Sequence, residues 1–108
     1  MAHREQLRFV QGVRELLFED LSGIDIFEVG SYDVNGTIRQ IFEGCKTYKG
    51  ADLTTGPGVD IVSSGHEIRL PDNAFGLTLS SECFEHNPYW IETFQNMHRM
   101  TSFDGYVV

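Results

Sequence analysis

The sequence has no CxxC pair, no excess of basic charge and no apolar run near the ~20 residues that cross a membrane. Neither of its two cysteines, Cys45 and Cys83, sits in such a pair or follows a secretory segment, so both are expected to be reduced. Sixteen Asp and Glu face eight Lys and Arg, a net charge of −8. Such a surface repels phosphate backbones and argues against nucleic-acid binding through a broad basic patch. The opening MAHREQLRFVQG is charged and helical and lacks an apolar h-region, so no secretory segment is expected. A cytoplasmic protein with two reduced thiols is the expectation. There are three prolines and no repeat, low-complexity tract or linker, so residues 1–108 are expected to form one domain. Absence of GxGxxG argues against an NAD-dependent oxidoreductase.

What is present is an apolar share of 41%, with eight Phe and four Tyr, enough for a globular core. Leu7, Val10, Val13 and Leu17 fall at helical spacing, with Phe9 and Leu16 widening the stripe. The pattern predicts strands at Ile24 to Val29, Thr47 to Ala51, Val59 to Val62, Phe75 to Leu79 and in the final YVV. A short helix is expected around Ile38 to Phe42, ending at Gly44. A longer one is introduced by Asn87 and Pro88, with Trp90, Phe94 and Met97 as its core face. Alternating strands and crossovers indicate an open, mainly parallel α/β sheet.

In such sheets ligands bind beyond the carboxyl ends of the strands. The residues that follow the predicted strands there are Glu28 to Gly36, Asp52, those around Gly65, and Ser80 to Glu82. Gly30 lets a backbone approach a ligand closely, and Gly36 lets the next segment pack tightly. Asp52 comes 22 positions after Gly30, near the ~20-residue offset at which an acid reaches ribose hydroxyls. A tight turn and a solvated strand end would also need a glycine and tolerate an aspartate, and spacing alone does not separate the two readings.

The stretch IFEVGSYDVNGTIR resembles the first motif of class I S-adenosylmethionine-dependent methyltransferases, in the type 11-like branch whose loop reads GSxDVNG. YKGADLTTGPGVDIV, LPDNAF and LSSECFEHNPYW agree in order and extend the resemblance over nearly all of the chain after Leu21. The resemblance implies a three-layer sandwich with a Rossmann-like sheet, and S-adenosylmethionine as cofactor. It assigns Glu28, Gly30 and Gly36 to the methionine end, with Ser31, Asp33 and Asn35 able to contribute backbone or side chain. It gives Asp52 to the ribose and Leu53 to the adenine face. Ser64, Gly65 and His66 would border the adenine edge, and Ser80, Ser81 and Glu82 the methyl-transfer site. His66, Glu82 and His86 are candidate bases if the acceptor must lose a proton.

The sequence departs from the family at Ser64, where many relatives carry Asp, at Gly76, and at TSFDG before strand five. Related domains continue past this point, so the sheet is expected to lack its C-terminal strands and the chain most of its acceptor half. Strand five would then be covered by self-association or by a second polypeptide. The acceptor, a small molecule or a protein group, is not specified. The alternative is a cofactor-binding or protein-interaction module that keeps the fold without turnover. Glu82, Cys83, Glu85 and His86 could suggest a metal, but no second ligand pair exists and none is expected. Tyr32 could cover the cofactor, shape the acceptor pocket or simply lie in the turn.

Overall fold

The computed structural model describes residues 4–32, 38–80 and 88–108. Helix α1 (Arg4–Leu17) leads into β1 (Asp25–Val29), a 3-10 helix (Ile38–Phe42) and β2 (Thr47–Asp52). Then come β3 (Ile61–Val62), a second 3-10 turn (Gly65–Glu67), β4 (Phe75–Ser80), α2 (Trp90–Met100) and β5 (Thr101–Val107). All pairings are parallel, in the order β3-β2-β1-β4-β5. β1 lies at the centre, and the chain winds outward from it in both directions. That reversal is the switch point at which open parallel sheets bind ligands.

The sheet carries a core on each face, which makes the expected three-layer sandwich. On one face Ile26, Leu77 and Leu79 pack with Val10, Leu21, Ile38 and Phe42. On the other, Phe27, Val29 and Ala51 pack with Ile68, Met97 and Met100. A parallel strand covered on both sides needs apolar residues at successive positions, and Ile26, Phe27 and Val29 meet that demand. The exception in the run is Glu28, a buried acid with 4% of its surface exposed.

The two helices bury narrower stripes than their sequences suggest. In α1, Val10 is buried while Phe9 and Leu16 are 63% and 84% exposed. The expected core face of α2 is corrected: Thr93, Met97 and Met100 are buried, whereas Trp90 and Phe94 stand half out. The cause is Gly65. A Cβ there would lie 2.5 Å from Thr93 Cγ2 and 3.0 Å from Val29 Cγ1. The helix therefore descends onto a glycine with a small residue, and its aromatics are turned to the flank. Gly65→Ala should cost about 1–3 kcal/mol by overpacking, read as a lower urea midpoint at unchanged m.

The last strand also differs from expectation. α2 passes directly into β5 at Thr101, and the irregularity falls inside the strand. Phe75 pairs with Thr101, but Leu77 pairs with Tyr106, so residues 102–105 bulge outward. Gly105 permits this, because a Cβ would meet the Gly76 carbonyl oxygen at 2.7 Å. Gly76 itself lies against Ile24, where a Cβ would meet Cγ2 at 3.3 Å, which makes that departure one of packing. Among the described residues, no helix is long and apolar enough to cross a membrane.

Candidate functional site

The register aligns the strand ends. Val29 faces Ala51 on one side and Ser80 on the other, and Asp52 pairs with Val62. Gly30, Asp52, Ser63 and Ser80 thus form one rim. Gly30 starts the turn with φ 81°, a conformation that suits glycine. The turn then folds back onto β2. The N–H groups of Gly30 and Ser31 donate to the Ala51 carbonyl at 2.7 and 3.0 Å, and Tyr32 N–H donates to Asp52 Oδ2 at 3.0 Å. Asp52 Oδ1 accepts from Leu53 N–H at 2.7 Å. Each carboxylate oxygen is fixed by one backbone donor and keeps further acceptor capacity.

Ser31 is buried, and its hydroxyl donates to the Gly58 carbonyl at 2.7 Å. The structure thereby gives its side chain a fastening role. The Tyr32 ring covers Gly56 so closely that a Cβ there would overlap it. Arg39 completes the clamp, donating from Nη2 to Asp60 Oδ2 at 2.7 Å and to the Gly58 carbonyl at 3.3 Å. Burial would raise the Asp60 carboxyl, but Arg39 and the Gly50 N–H outweigh it and hold the group below its ordinary value.

One residue inside the rim, Glu28 Oε1 accepts the Tyr48 hydroxyl at 2.7 Å. Burial pushes Glu28 up to about 7, with the Tyr48 hydroxyl opposing the rise. Burial, and then the neighbouring Glu28, push the Tyr48 phenol up in turn. Tyr48 and the Arg39–Asp60 pair escaped the sequence reading. Pairing of Glu28 with Gly50 places Tyr48 diagonally on the same face, a relation invisible without the register.

On the other flank, Asn96 Nδ2 donates to the carbonyls of Gly65 at 2.8 Å and Ile68 at 3.0 Å, fixing the loop after β3. Ser63 N–H donates to the Asp52 carbonyl at 2.9 Å, which ties this loop to the rim. The Ser64 carbonyl accepts Glu67 N–H at 3.0 Å. Leu53 presents an apolar side chain that is 69% exposed. His66 stacks on Tyr89 with centroids 4.3 Å apart, and its Nδ1 is buried without a partner among the described residues. A base usually has its second nitrogen fixed by a hydrogen bond, so this geometry orients the ring without assigning it that task. A hollow lined by His66, Ile68, Leu70, Asn96 and Arg99 shares only His66 with the expected site. Asp33, Asn35, Gly36, Ser81, Glu82, Cys83, Glu85 and His86 lie outside the described residues. Among those described, no three His, Cys, Asp or Glu side chains cluster as metal ligands.

A family described as "Methyltransferase domain" matches residues 8–108. The chain belongs to the methyltransferase domain family. This domain is similar in structure to the YcgJ protein of Bacillus subtilis, with 14% identity and a TM-score of 0.73, covering 93% of this chain and 49% of that one. It is also similar to 1,6-didemethyltoxoflavin-N1-methyltransferase of Burkholderia thailandensis, solved with 1,6-didemethyltoxoflavin and S-adenosylhomocysteine. There the identity is 14%, the TM-score 0.74, and the coverage 94% of this chain and 49% of that one. At such identities the likeness is one of fold, the Rossmann-like methyltransferase sheet. The methyltransferase domain spans about half the length of these two structures. No curated protein matches it.

Proposed function

We propose that this domain binds S-adenosylmethionine and transfers its methyl group to an acceptor. The observation that carries the reading is Asp52, fixed by two backbone N–H groups at the end of β2 and facing the positive-φ turn at Gly30. The residues present fit the cofactor. Asp52 retains acceptor capacity for ribose hydroxyls, Leu53 offers an apolar face to adenine, and buried Glu28 has only the neutral Tyr48 hydroxyl as donor among the described residues. When bound, S-adenosylmethionine supplies an electrophilic methyl group on a sulfonium sulfur.

The protein's part is to bind and orient. Residues 30–32 of the turn and the loop after β3 are tied to β2 or α2, which holds the described part of the rim in place, and proximity supplies most of the acceleration such a transfer needs. Acidic groups at the rim, Glu28 and Asp52, lower the cost of bringing in a cation. The acceptor is a small molecule or a protein group. The cytoplasmic location read from the sequence belongs to the same proposal.

Calorimetric titration with S-adenosylmethionine, S-adenosylhomocysteine and NAD tests the reading. Binding of the first two without NAD is expected. Failure of a folded sample to bind either would leave the fold as an interaction module.

A specific observation also favours association. β5 is the outer strand of the described sheet, and Phe103 on it is fully exposed. Asn96 turns one flank of α2 toward residues 65–68, and Trp90 and Phe94 lie on the other, where they remain half exposed. We propose that another copy or a second polypeptide covers this edge. Light scattering should give a mass above 12.3 kDa for the chain alone if the partner is itself. A monodisperse monomer at high concentration, with no partner retained, contradicts this.

A further inference from the structure

Parallel neighbours in a sheet are usually joined by a dozen or more residues that include a helix. β2 and β3 are joined by residues 53–60 alone, with no regular element between them. Within this crossover Val59 N–H donates to the Gly56 carbonyl at 3.1 Å, and most of its remaining fastening comes from three neighbours. The turn after β1 supplies the buried Ser31, whose hydroxyl donates to the Gly58 carbonyl, and the Tyr32 ring that covers Gly56. β2 supplies Gly50, whose carbonyl accepts Asp60 N–H at 2.9 Å and whose N–H donates to Asp60 Oδ2 at 2.8 Å. The 3-10 helix Ile38–Phe42 supplies Arg39. Its guanidinium lies 4.8 Å from the Tyr48 ring centroid, and Nη2 donates to both Asp60 Oδ2 and the Gly58 carbonyl.

Asp60 thus stands in for a longer β3. Its main chain and carboxylate together bond both backbone groups of Gly50, one residue before the first ladder pair, Ala51 with Ile61. Arg39 holds that carboxylate in place. The pair is partly exposed, 36% at Arg39 and 44% at Asp60, so opening it leaves two hydrated charges rather than a buried one. Both ends of the crossover meet the rim. Leu53 follows Asp52 directly, and Tyr32, whose N–H donates to Asp52 Oδ2, lays its ring on Gly56.

We propose that Arg39 is a positioning residue: through Asp60 and Gly58 it docks the helix-free crossover 53–60 on the rim and so sets Asp52, Leu53 and Tyr32 for the cofactor. The inference rests on the cofactor reading above and adds to it a residue outside the cofactor contacts. When the clamp opens the crossover lifts, and Leu53 and the Tyr32 ring lose their placement. Only the docked fraction then binds with full affinity. By reciprocity, bound cofactor favours the docked form.

The test combines calorimetric titration with S-adenosylhomocysteine and amide hydrogen exchange in wild type, Arg39→Gln, Asp60→Asn and the double variant. Arg39→Gln should weaken binding about 3- to 10-fold, the scale of one partly exposed ion pair with its hydrogen bonds. Arg39→Lys keeps the charge without the planar fork and should recover part of the loss. The double variant should bind within about twofold of the weaker single variant, because both changes release the same crossover. The Gly50 amide reports the clamp, since its acceptor is the Asp60 carboxylate. It and the Val59 amide should exchange faster in Arg39→Gln, and saturating S-adenosylhomocysteine should slow both again. A residue that only stabilises the fold would lower the urea midpoint and leave affinity and ligand-dependent protection unmoved. That result overturns the proposal, as does a double variant showing the product of the two single effects. Should Arg39→Gln fail to fold, Asp60→Asn and Arg39→Lys carry the same comparison. Equal affinities in wild type and folded variants overturn the positioning role alone. A wild type that does not bind S-adenosylhomocysteine overturns it together with the cofactor reading.

Discussion

Asp52→Ala is expected to weaken S-adenosylhomocysteine binding at least about 100-fold, as measured by calorimetric titration of a variant shown to be folded. Two effects combine. Hydrogen bonds to a charged acceptor contribute about 1.5–3 kcal/mol each, and a ribose diol can make two with this carboxylate. The same oxygens also accept from Tyr32 N–H and Leu53 N–H, so truncation releases the turn after β1 as well as the ribose contact. Asp52→Asn separates the effects. Its single amide oxygen can satisfy one of those two donors, and its NH2 opposes the other, so an intermediate loss is expected. A change below about threefold in Asp52→Ala would show that this acid does not touch the ligand, since even one such bond exceeds that factor.

The second large effect is one of stability, and its sign runs against intuition. Glu28→Gln should stabilise the ligand-free protein at alkaline pH while impairing cofactor binding. Glu28 titrates near 7 in the folded protein and at 4.5 in an unperturbed chain. The folded state therefore holds the proton more tightly, and the group's favourable contribution is complete below about pH 4.5. It is lost as the pH rises through about 7, and the shift corresponds to roughly 3 kcal/mol. Glutamine keeps an acceptor for the Tyr48 hydroxyl but has no charge to bury. Its amide donors, which lack an assigned partner, offset part of the gain. The difference between variant and wild type in urea unfolding should be small at pH 5 and widen by pH 8. Parallel pH profiles would contradict the burial of a titrating acid at this position. A residue that destabilises the empty fold and serves the bound state is a familiar exchange at binding sites.

Much of this architecture could be read in the residues, because a parallel sheet covered on both faces writes its strands as apolar runs with sharp endings. Asp25 to Val29, closed by Gly30, and Thr47 to Asp52 show this well, and the offset between Gly30 and Asp52 survives as a facing pair across the rim. What could not be read depended on contacts distant in sequence. Exposure of Trp90 and Phe94 follows from Thr93 settling on Gly65, a contact that helical periodicity does not encode. The Glu28–Tyr48 bond depends on the register between β1 and β2. The bulge at 102–105 depends on Gly105 meeting the backbone of Gly76. Ser31, which the resemblance offers to the cofactor through backbone or side chain, also donates its hydroxyl to the Gly58 carbonyl, a contact 27 residues away in sequence.

The central claim is that the strand ends around β1 form the cofactor site, and nuclear magnetic resonance tests it most directly. Amide shifts of the 15N-labelled protein would be followed as S-adenosylhomocysteine is added. The largest changes are expected at Gly30, Asp52, Leu53, Gly65 and Ser80, with α1 and the bulge at 102–105 undisturbed. Changes confined to the hollow beside Asn96 and Arg99, or none at saturating ligand, would contradict it.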